Sequence, residues 1–465
     1  MNGSDLHRLD VFIGSDRKIA TITIPVGSDT DISWVYEPSW LKDGFPVSPH
    51  LPFHQALEPR SVRNFLQNLL PEGQGLEDIT SNSTISKNNT FGLIRIIGEE
   101  TSGALSFRSP GQQLKPTSFR PVSHDELADK LKIHRSVGSS ITYWDGRTRL
   151  SVAGVQDKLN FFEHDGQLGF GDGKLCSNKI FKFESGKVPF IATNELFTMI
   201  LAHHAGIDVP NVEIRSYEDV RAFIIERFDR RYLSDRNEVQ RRHIIDGCQA
   251  TNLPPSYKYE RQYGDEGDGK FIRDGVSFLK LFAVQTNNDE VYRLKLLQWM
   301  TFNILTRNYD AHGKNISFFV SKRGLELTPF YDLVNIGAII TEIQQRQNDQ
   351  GILDDRNHSI SQHYAMSIGG FETGSAGYFQ NPITAYMLAD FASQFGISLP
   401  RIQLVMQQIT KAVLSSIEIS RQEAYAFNLT TEEVAHIELC IRIIQQAADE
   451  LLCEIAQIPD MLGLV

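Results

Sequence analysis

Three residues in this chain have the types and the spacing that phosphoryl transfer requires. Asp310 and Asn315 lie five residues apart in RNYDAHGKN, and Asp332 follows in FYDLV. Phosphoryl transfer needs a group that orients the attacking hydroxyl and metal ligands that bridge the phosphates. The five-residue interval is the one found between the base and the metal-binding amide of kinase catalytic loops. Asp310 would then orient the hydroxyl, and Asn315 with Asp332 would hold the metal.

The segment between these residues predicts a hairpin that returns Asp332 to the loop. ISFFV and LEL, on either side of the turn at 322–324, have the pattern of two short strands. A carboxylate and an amide are hard oxygen donors, which suit Mg²⁺ better than zinc. On spacing alone one alternative stays open, in which Asp310 is a turn residue and Asn315 a cap.

Phosphoryl transfer also needs a cation near the nucleotide, and Lys182 in NKIFKFE is the candidate. It lies within a predicted strand between apolar neighbours, where a charge requires a partner. Glu195, on the following helix, is the predicted counter-ion. The alternative is a solvated strand lysine, so the assignment depends on its combination with the loop.

Two glycine-containing stretches are candidates for phosphate-binding loops. GFGDGK at 169–174 lacks the spacing G-x-x-x-x-G-K-[ST] and lies within a predicted hairpin, so it indicates a turn. SVAGVQDK at 151–158 has one glycine, but it turns sharply between strands, and its backbone amides could face phosphates.

The first part of the chain predicts a small α+β domain. Residues 1 to about 110 alternate short apolar runs with Gly, Pro and Ser clusters, and SVRNFLQNLLPEG has helical spacing. A polar, proline-containing stretch at about 110–140 then indicates a domain junction.

Strands precede helices in the rest of the chain. Antiparallel strands with a turn at 165–166 are followed by a helix over 195–205 and a strand in VRAFIIERF. Beyond about residue 245 the pattern is helical, and DEVYRLKLLQWMTFNIL predicts a helix that is buried on nearly all sides. Thr430 and Glu433 form a capping box that begins a helix near the C-terminus.

The composition is that of a globular protein. Of 465 residues 41% are hydrophobic and 22% charged, and the net charge of −11 argues against a surface that binds nucleic acid throughout. No apolar stretch approaches the roughly 20 residues that span a bilayer, which predicts a soluble, cytoplasmic protein. Four scattered cysteines predict buried thiols: Cys176, Cys248, Cys440 and Cys453.

Taken together, these motifs resemble the HipA family, the serine/threonine kinase toxins of bacterial toxin-antitoxin systems. SVAGVQDK, IFKFE, NELF, IIERFDRRY, RNYDAHGKN and LTPFYDLV occur in the order and approximate spacing of that family. PSWL, LPF, FLQNLLPEG and TSGALSF resemble its N-terminal domain. The resemblance implies an α+β, bilobal, protein-kinase-like (HipA-like) fold. A small N-terminal domain (1–115) would dock on an N-lobe with phosphate loop and hinge (140–240), followed by a mainly helical C-lobe (241–465).

The resemblance also implies the roles of individual residues. Asp310 would be the catalytic base, and Asn315 and Asp332 would be the Mg²⁺ ligands. Ser151 would be an autophosphorylation site whose modification ejects the phosphate loop and silences the enzyme. The ATP contacts would come from the phosphate loop, the strand lysine, the hinge and the catalytic segments: Ala153, Gly154, Val155, Gln156, Asp157, Lys158, Lys182, Glu226, Arg227, Phe228, His312, Lys314, Asn315, Tyr331 and Asp332.

Partners follow from the same resemblance. The family typically works beside a small helix-turn-helix antitoxin (HipB-like) that neutralises the kinase and represses the operon, and its known targets include aminoacyl-tRNA synthetases. Family members that touch operator DNA use a lysine-rich stretch, whereas the counterpart here, SIGGFETGSAGYF, has no lysine or arginine. Operator DNA is therefore expected to be reached mainly through the antitoxin. Two alternatives stay open, a weakly catalytic regulator that binds antitoxin and operator, and a small-molecule kinase on the same fold.

Overall fold

The protein is described from a computed structural model, in two compact units. The structure describes residues 6–81, 83–98, 101–149, 158–184, 186, 188–264, 268–349, 361–370, 374–376 and 379–465. The first unit contains Met1–Ser185, Arg215–Pro255 and Ser317–Thr328, and the second contains Gly186–Ile214, Ser256–Ile316 and Pro329–Val465. The division at 1–115, 140–240 and 241–465 stays a prediction.

The first unit begins with an antiparallel sheet and four helices. The strands are β1 (Leu6–Ile13), β2 (Arg17–Pro25), β3 (Ser33–Tyr36) and β4 (Leu105–Arg108), in the order β3-β2-β1-β4. The helices are α1 (Pro38–Asp43), α2 (Pro59–Gln67), α3 (Gly73–Ser81) and α4 (Thr90–Ile97). The predicted α+β composition is confirmed. Helix α2 ends before Leu69 and Leu70, which are nevertheless buried.

A six-stranded sheet follows. Its strands are β5 (Ser118–Pro121), β8 (Lys158–His164), β9 (Gln167–Asp172), β10 (Lys179–Phe183), β11 (Val212–Tyr217) and β12 (Val220–Glu226), in the order β11-β12-β10-β8-β9-β5. Helix α5 (His124–Val137) and the pair β6 (Tyr143–Trp144) and β7 (Arg147–Thr148) precede β8. Asp165 and Gly166 have φ angles of 47° and 73°, as a type I′ hairpin turn requires. The predicted antiparallel strands and their turn are therefore confirmed.

A buried ionic cluster lies just after β12. Asp229 accepts hydrogen bonds from Arg227 Nε (3.0 Å) and Nη2 (2.9 Å), from Arg230 Nη1 (2.6 Å) and from Gly103 N (3.1 Å). Arg230 Nη2 also donates to Thr101 O at 3.0 Å. Burial alone would raise the pKa of Asp229, but the two guanidinium groups outweigh it and lower that pKa to about 2. The cluster therefore joins two distant segments of the first unit.

The first unit is completed by two further small sheets. These are β13 (Arg230–Leu233) with β14 (Glu238–Arg241), and β15 (Ile244–Asp246), β16 (Ser317–Ser321) and β17 (Gly324–Leu327) in the order β15-β16-β17. The short helix α7 (Gly247–Ala250) follows β15. Thr328 N donates to Ser317 O at 3.0 Å and closes the β16–β17 hairpin. The hairpin predicted between RNYDAHGKN and FYDLV is confirmed.

His243, just before β15, gives this unit a predicted pH dependence. It is 3% exposed, its Nε2 donates to Val47 O at 2.9 Å, and burial lowers its pKa to about 4. The folded-state pKa lies below the unfolded value of about 6.5, so the unfolded chain takes up the proton first as the pH falls. We expect the free energy of unfolding to decrease by up to about 3 kcal/mol between about pH 6.5 and pH 4.

Denaturant unfolding across this pH range measures the effect. His243→Gln keeps an amide donor for Val47 O and should flatten the curve over this interval. His54 is exposed, so His54→Gln is the matched control and should leave the slope unchanged. Equal slopes in the two variants would contradict the assignment.

The second unit is mainly helical. Its helices are α6 (Ile191–His204), α8 (Phe278–Phe282), α9 (Asp289–Leu305), α10 (Ile336–Asp349), α11 (Ala385–Gln394), α12 (Leu399–Tyr425) and α13 (Thr431–Gln457). Helices α6, α9 and α13 pack against α12. A strand pair, β18 (Gly374–Ala376) with β19 (Phe379–Asn381), precedes α11. The described residues also contain single-turn 3₁₀ helices: Pro255–Tyr257, Asp268–Phe271, Gly313–Asn315 and Ile458–Met461. The first of these begins at the last residue of a segment of the first unit.

The helices predicted for this unit are present. Helix α6 starts four residues earlier than predicted, and α9 coincides with DEVYRLKLLQWMTFNIL. Thr430 Oγ1 accepts from Glu433 N at 3.2 Å, and Glu433 Oε2 accepts from Thr430 N at 2.7 Å, which confirms the capping box.

Two further sequence expectations concern cysteine burial and membrane segments. Three of the four cysteines are buried as predicted, but Cys453 is exposed. It lies on the face of α13 opposite Leu451 and Ile455, which are turned inward. Within the described residues, no helix has the length and apolar character needed to cross a membrane.

Candidate active site

The loop that carries Asp310 is attached to the end of α9. Asn308 is 1% exposed, and its Nδ2 donates to Asn303 Oδ1 at 2.8 Å. Its Oδ1 accepts from Asp310 N at 3.3 Å. One buried amide therefore connects the last turn of the helix with the backbone of Asp310, whose side chain is exposed.

Asn315 and Asp332, the two predicted metal ligands, are in contact. Asn315 Nδ2 donates to Asp332 Oδ2 at 3.3 Å, and Asn315 Oδ1 accepts from His312 N at 3.2 Å. The hydroxyl of Tyr331 donates to Lys314 O at 2.7 Å and joins the two segments a second time. The structure thus brings together two side chains that are 17 residues apart in sequence.

The backbone of Asp332 adopts an uncommon conformation. Its φ angle is +54°, in the left-handed region that non-glycine residues rarely occupy. Such conformations cost of order 1–3 kcal/mol and persist only where the surroundings impose them. Phe330 contributes, because its N donates to Asp208 O at 2.7 Å and its ring stacks on Trp299 at 5.8 Å. Strained backbone conformations cluster at active sites, so the φ angle of Asp332 supports a functional role for this segment.

Helix α6 holds the other end of this segment. Asn194 Oδ1 accepts from Asn335 N at 2.7 Å, and Asn194 Nδ2 donates to Asn335 O at 3.0 Å. The side chain of Asn194 therefore satisfies both the N–H and the C=O of Asn335, which lies three positions after Asp332. Asn194 is the first residue of NELF, one of the stretches that resemble the HipA family, but the sequence analysis assigned it no role.

The donor types of Asn315 and Asp332 fit a magnesium ion. Mg²⁺ prefers carboxylate and amide oxygens as ligands, and the hydrogen bond from Asn315 Nδ2 keeps the Asp332 carboxylate beside the Asn315 amide. The amide oxygen of Asn315 has two lone pairs, so one can accept from His312 N while the other is directed to a cation. The two side chains can therefore supply hard oxygen ligands together.

Asp310 has a partner that sequence analysis missed. The hydroxyl of Tyr259, 51 residues earlier in the chain, donates to Asp310 Oδ1 at 2.6 Å. The ring of Tyr259 meets His312 edge to face at 5.0 Å. No spacing rule relates Tyr259 to the loop, so only the folded chain reveals the contact.

Gly313 has no room for a side chain. A Cβ at this position would lie 2.6 Å from the side chain of Val276, and Gly313 N donates to Lys258 O at 2.9 Å. The close approach explains why glycine stands between His312 and Lys314, both of which are buried. Their predicted contacts with ATP stay predictions.

In the first unit, two buried lysines face each other. Lys182 in β10 pairs directly with Lys158 in β8, and each is 7% exposed. Lys182 Nζ lies 5.8 Å from the ring centroid of Phe223, its neighbour on β12. Like charges at opposed positions repel, so an anion on this side of the sheet would stabilise both. The arrangement suits the predicted contact with phosphates; the pairing with Glu195, which belongs to the other unit, stays a prediction.

Comparisons with known proteins identify the family. A model of the HipA N-terminal domain matches residues 9–108, and a model of the HipA-like C-terminal domain matches residues 150–417. The chain is 36% identical to the serine/threonine-protein kinase toxin HipA of Shewanella oneidensis, over 95% of this chain and 98% of that protein. This chain belongs to the HipA family. Like other members of that family, it is a kinase.

Two further members of the comparison agree. A putative kinase of Sinorhizobium fredii is 31% identical over 83% of this chain and 86% of its own length. A solved complex of HipA, HipB and operator DNA from Shewanella oneidensis MR-1 contains a chain that matches with a TM-score of 0.82 and 34% identity. The match covers 97% of this chain and 99% of that one. The predicted α+β, HipA-like kinase fold is confirmed.

The segment that resembles the HipA-family hinge lies at the end of β12. Glu226 is exposed, with its carboxylate 4.0 Å from Lys179 Nζ, and Phe228 meets Phe319 edge to face at 5.9 Å. The side chain of Arg227 is engaged with Asp229 and donates to Ser177 Oγ at 3.0 Å. The guanidinium of Arg227 is therefore already engaged, and the predicted contact of this segment with adenine stays a prediction.

The stretch that resembles the HipA-family phosphate loop lies mostly outside the described residues. Ser151 and the range from Ala153 to Asp157 lie outside the described residues, so the predicted phosphate contacts and autophosphorylation site are not tested. Tyr331 and Lys158 are described, and their roles toward ATP also stay predictions.

Proposed function

We propose that this HipA-family kinase is an ATP- and Mg²⁺-dependent serine/threonine protein kinase that acts as the toxin of a toxin-antitoxin system. The proposal rests on the contact between the side chains of Asn315 and Asp332. Asp310 precedes Asn315 by five residues in the same loop. Oxygen ligands and a carboxylate at this interval are the parts that phosphoryl transfer needs.

Each residue has a defined part in the transfer. Asp310 orients the attacking serine or threonine hydroxyl and accepts its proton as the new O–P bond forms and ADP leaves. Asn315 and Asp332 would hold Mg²⁺, which would neutralise the charge of the phosphate oxygens when bound. Lys158 and Lys182 attract the phosphates through their positive charge. A positioned base of this kind contributes about 10²–10⁴-fold to the rate.

The biological role is proposed from the relatives. The Shewanella oneidensis relative is named a kinase toxin, and its solved complex contains HipB and operator DNA. We therefore propose that this chain binds a small HipB-like helix-turn-helix antitoxin and reaches operator DNA mainly through it. SIGGFETGSAGYF lacks lysine and arginine, which supports indirect rather than direct contact with DNA. The proposed target is a translation component such as an aminoacyl-tRNA synthetase.

Self-limitation is a further part of the proposal. Ser151 opens SVAGVQDK, the stretch that resembles the phosphate loop of the family. A phosphoserine carries a charge of about −1.5 to −2, which would repel the phosphates of ATP. Autophosphorylation at Ser151 would therefore lower later activity.

One experiment tests these points together. Cells that express the wild type or Asp310→Asn are compared by quantitative phosphoproteomics, and both purified proteins are incubated with Mg²⁺-ATP. We expect phosphopeptides that depend on the wild type, phosphate on Ser151, and transfer reduced by about 10²–10⁴-fold in Asp310→Asn. Omitting Mg²⁺ should have a comparable effect.

The alternatives predict different outcomes. Equal transfer by wild type and Asp310→Asn would refute the kinase mechanism proposed here and favour a regulator that binds antitoxin and operator. Growth inhibition by the wild type without new phosphopeptides, but with a new phosphorylated metabolite, would instead favour a small-molecule kinase. An intact mass without an added phosphate after long incubation would remove Ser151 from the proposal.

A further inference from the structure

Tyr259 lies on a short segment that is hydrogen-bonded on all sides within the second unit. Lys258 O accepts from Gly313 N at 2.9 Å, and Glu260 O accepts from Gly275 N at 3.1 Å. Gly275 cannot be replaced, since a Cβ there would lie 1.7 Å from Tyr259 O. The backbone around Tyr259 is therefore held in one position.

Two backbone hydrogen bonds connect the same segment with the loop that carries Asp310. Glu260 N donates to Ala365 O, and Ala365 N donates to Tyr309 O, both at 3.0 Å. Tyr309 is the residue before Asp310. The two hydrogen bonds through Ala365 therefore hold the backbone of Tyr259 at a fixed distance from that of Asp310. The side chain of Glu260, which is 3% exposed, adds a second contact, because its Oε2 accepts from Ser367 N, two residues after Ala365.

The contact between Tyr259 and Asp310 is short and charge-assisted. The 2.6 Å distance is typical of a hydroxyl that donates to a carboxylate, which is about twice as strong as a neutral hydrogen bond. The Tyr259 ring packs edge to face on His312, so the phenol approaches Asp310 from a defined direction. A carboxylate has two oxygens, and the bond to Oδ1 orients Oδ2 as well.

We propose that Tyr259 is a positioning residue that fixes the rotamer of the Asp310 carboxylate for the attacking hydroxyl of the substrate. The inference rests on the proposed function, in which Asp310 is the base. In the opposite role, the phenol would occupy the place of the substrate hydroxyl and inhibit the kinase. Tyr259 is 37% exposed, but its ring contact with His312 and the hydrogen-bonded backbone hold it in place, which argues against a phenol that would have to leave before every turnover.

The test is a comparison of Tyr259→Phe with Tyr263→Phe. The first variant keeps the ring against His312 and removes only the donor. Tyr263 lies four residues later and is 63% exposed, so the second variant is a matched control for the same change. Transfer of labelled phosphate from Mg²⁺-ATP into soluble cell protein is measured against ATP concentration, with Asp310→Asn as the background.

We expect Tyr259→Phe to lower kcat by about 10- to 100-fold, because the variant loses one hydrogen bond to a charged group. The KM for ATP should stay within about twofold, and the thermal midpoint should match that of Tyr263→Phe. A purely structural ring would leave kcat unchanged, and an inhibitory phenol would raise it; either result overturns the inference. A wild type no more active than Asp310→Asn would instead refute the proposed function.

Discussion

Replacement of Asp332 by asparagine is expected to reduce phosphate transfer by about 10³-fold while leaving the fold intact. The substitution removes the negative charge of one of the two proposed Mg²⁺ ligands, and loss of metal-dependent charge stabilisation costs several kcal/mol. Asparagine tolerates the left-handed region better than most residues, so it can keep the φ angle of +54° found at Asp332. The loss should therefore come from chemistry rather than from unfolding.

The measurement is steady-state transfer at several Mg²⁺ concentrations, with circular dichroism and thermal unfolding as checks of the fold. Asp449→Asn is the matched control, because Asp449 is exposed on α13 in the same unit. Raised Mg²⁺ should restore part of the activity of Asp332→Asn if metal affinity is what was lost. A variant that folds and transfers phosphate at the rate of the control would exclude Asp332 as a ligand.

Asp229→Asn is expected to lower the free energy of unfolding by about 3–5 kcal/mol, the usual result of removing one partner from a buried ion pair. Arg227 and Arg230 would be left in the interior facing a neutral amide; they are 4% and 6% exposed. Burial and the neighbouring charge of Arg227 already lower the pKa of Arg230 to about 10. Gly103 N would keep an acceptor, so the loss is mainly electrostatic.

Denaturant unfolding at pH 7 tests this, and the exposed pair of Asp235 with Arg236 supplies the control. Asp235→Asn should cost no more than about 1 kcal/mol, as surface pairs do. The pKa of Asp229 is lowered to about 2, so its contribution is complete above the unfolded value of about 3.9. The difference between wild type and Asp229→Asn should therefore shrink as the pH falls from about 4 toward 2. A loss equal to that of the control would contradict the role of the cluster.

Much of the fold was predictable because it depends on neighbouring residues. The positive φ angles at Asp165 and Gly166 and the capping box of Thr430 with Glu433 follow from residue type within a few positions. Where the predictions were wrong, packing was the reason. Cys453 was expected to be buried, but its position on α13 turns it to solvent.

The candidate site also combines local features that the sequence predicts with contacts between distant residues that it does not predict. The interval from Asp310 to Asn315 indicated the chemistry, and the hairpin β16–β17 predicted that Asp332 returns toward it. The donors around these side chains were not predictable. Tyr259 reaches Asp310 across 51 residues, and Asn194 reaches Asn335 across 141. Asn194 opens the family-like stretch NELF, but neither residue type nor spacing indicates that it contacts Asn335 or that Tyr259 contacts Asp310.

The sequence by itself therefore determined the local elements, the residue types of the site and the family resemblance, because each depends on short stretches of chain. Only the tertiary structure decided that Asn315 and Asp332 lie 3.3 Å apart, that Asp332 is held with a positive φ angle and that Tyr259 donates to Asp310. These features result from packing between segments far apart in sequence, and the position of one such segment against another is set by the whole core rather than by either segment alone.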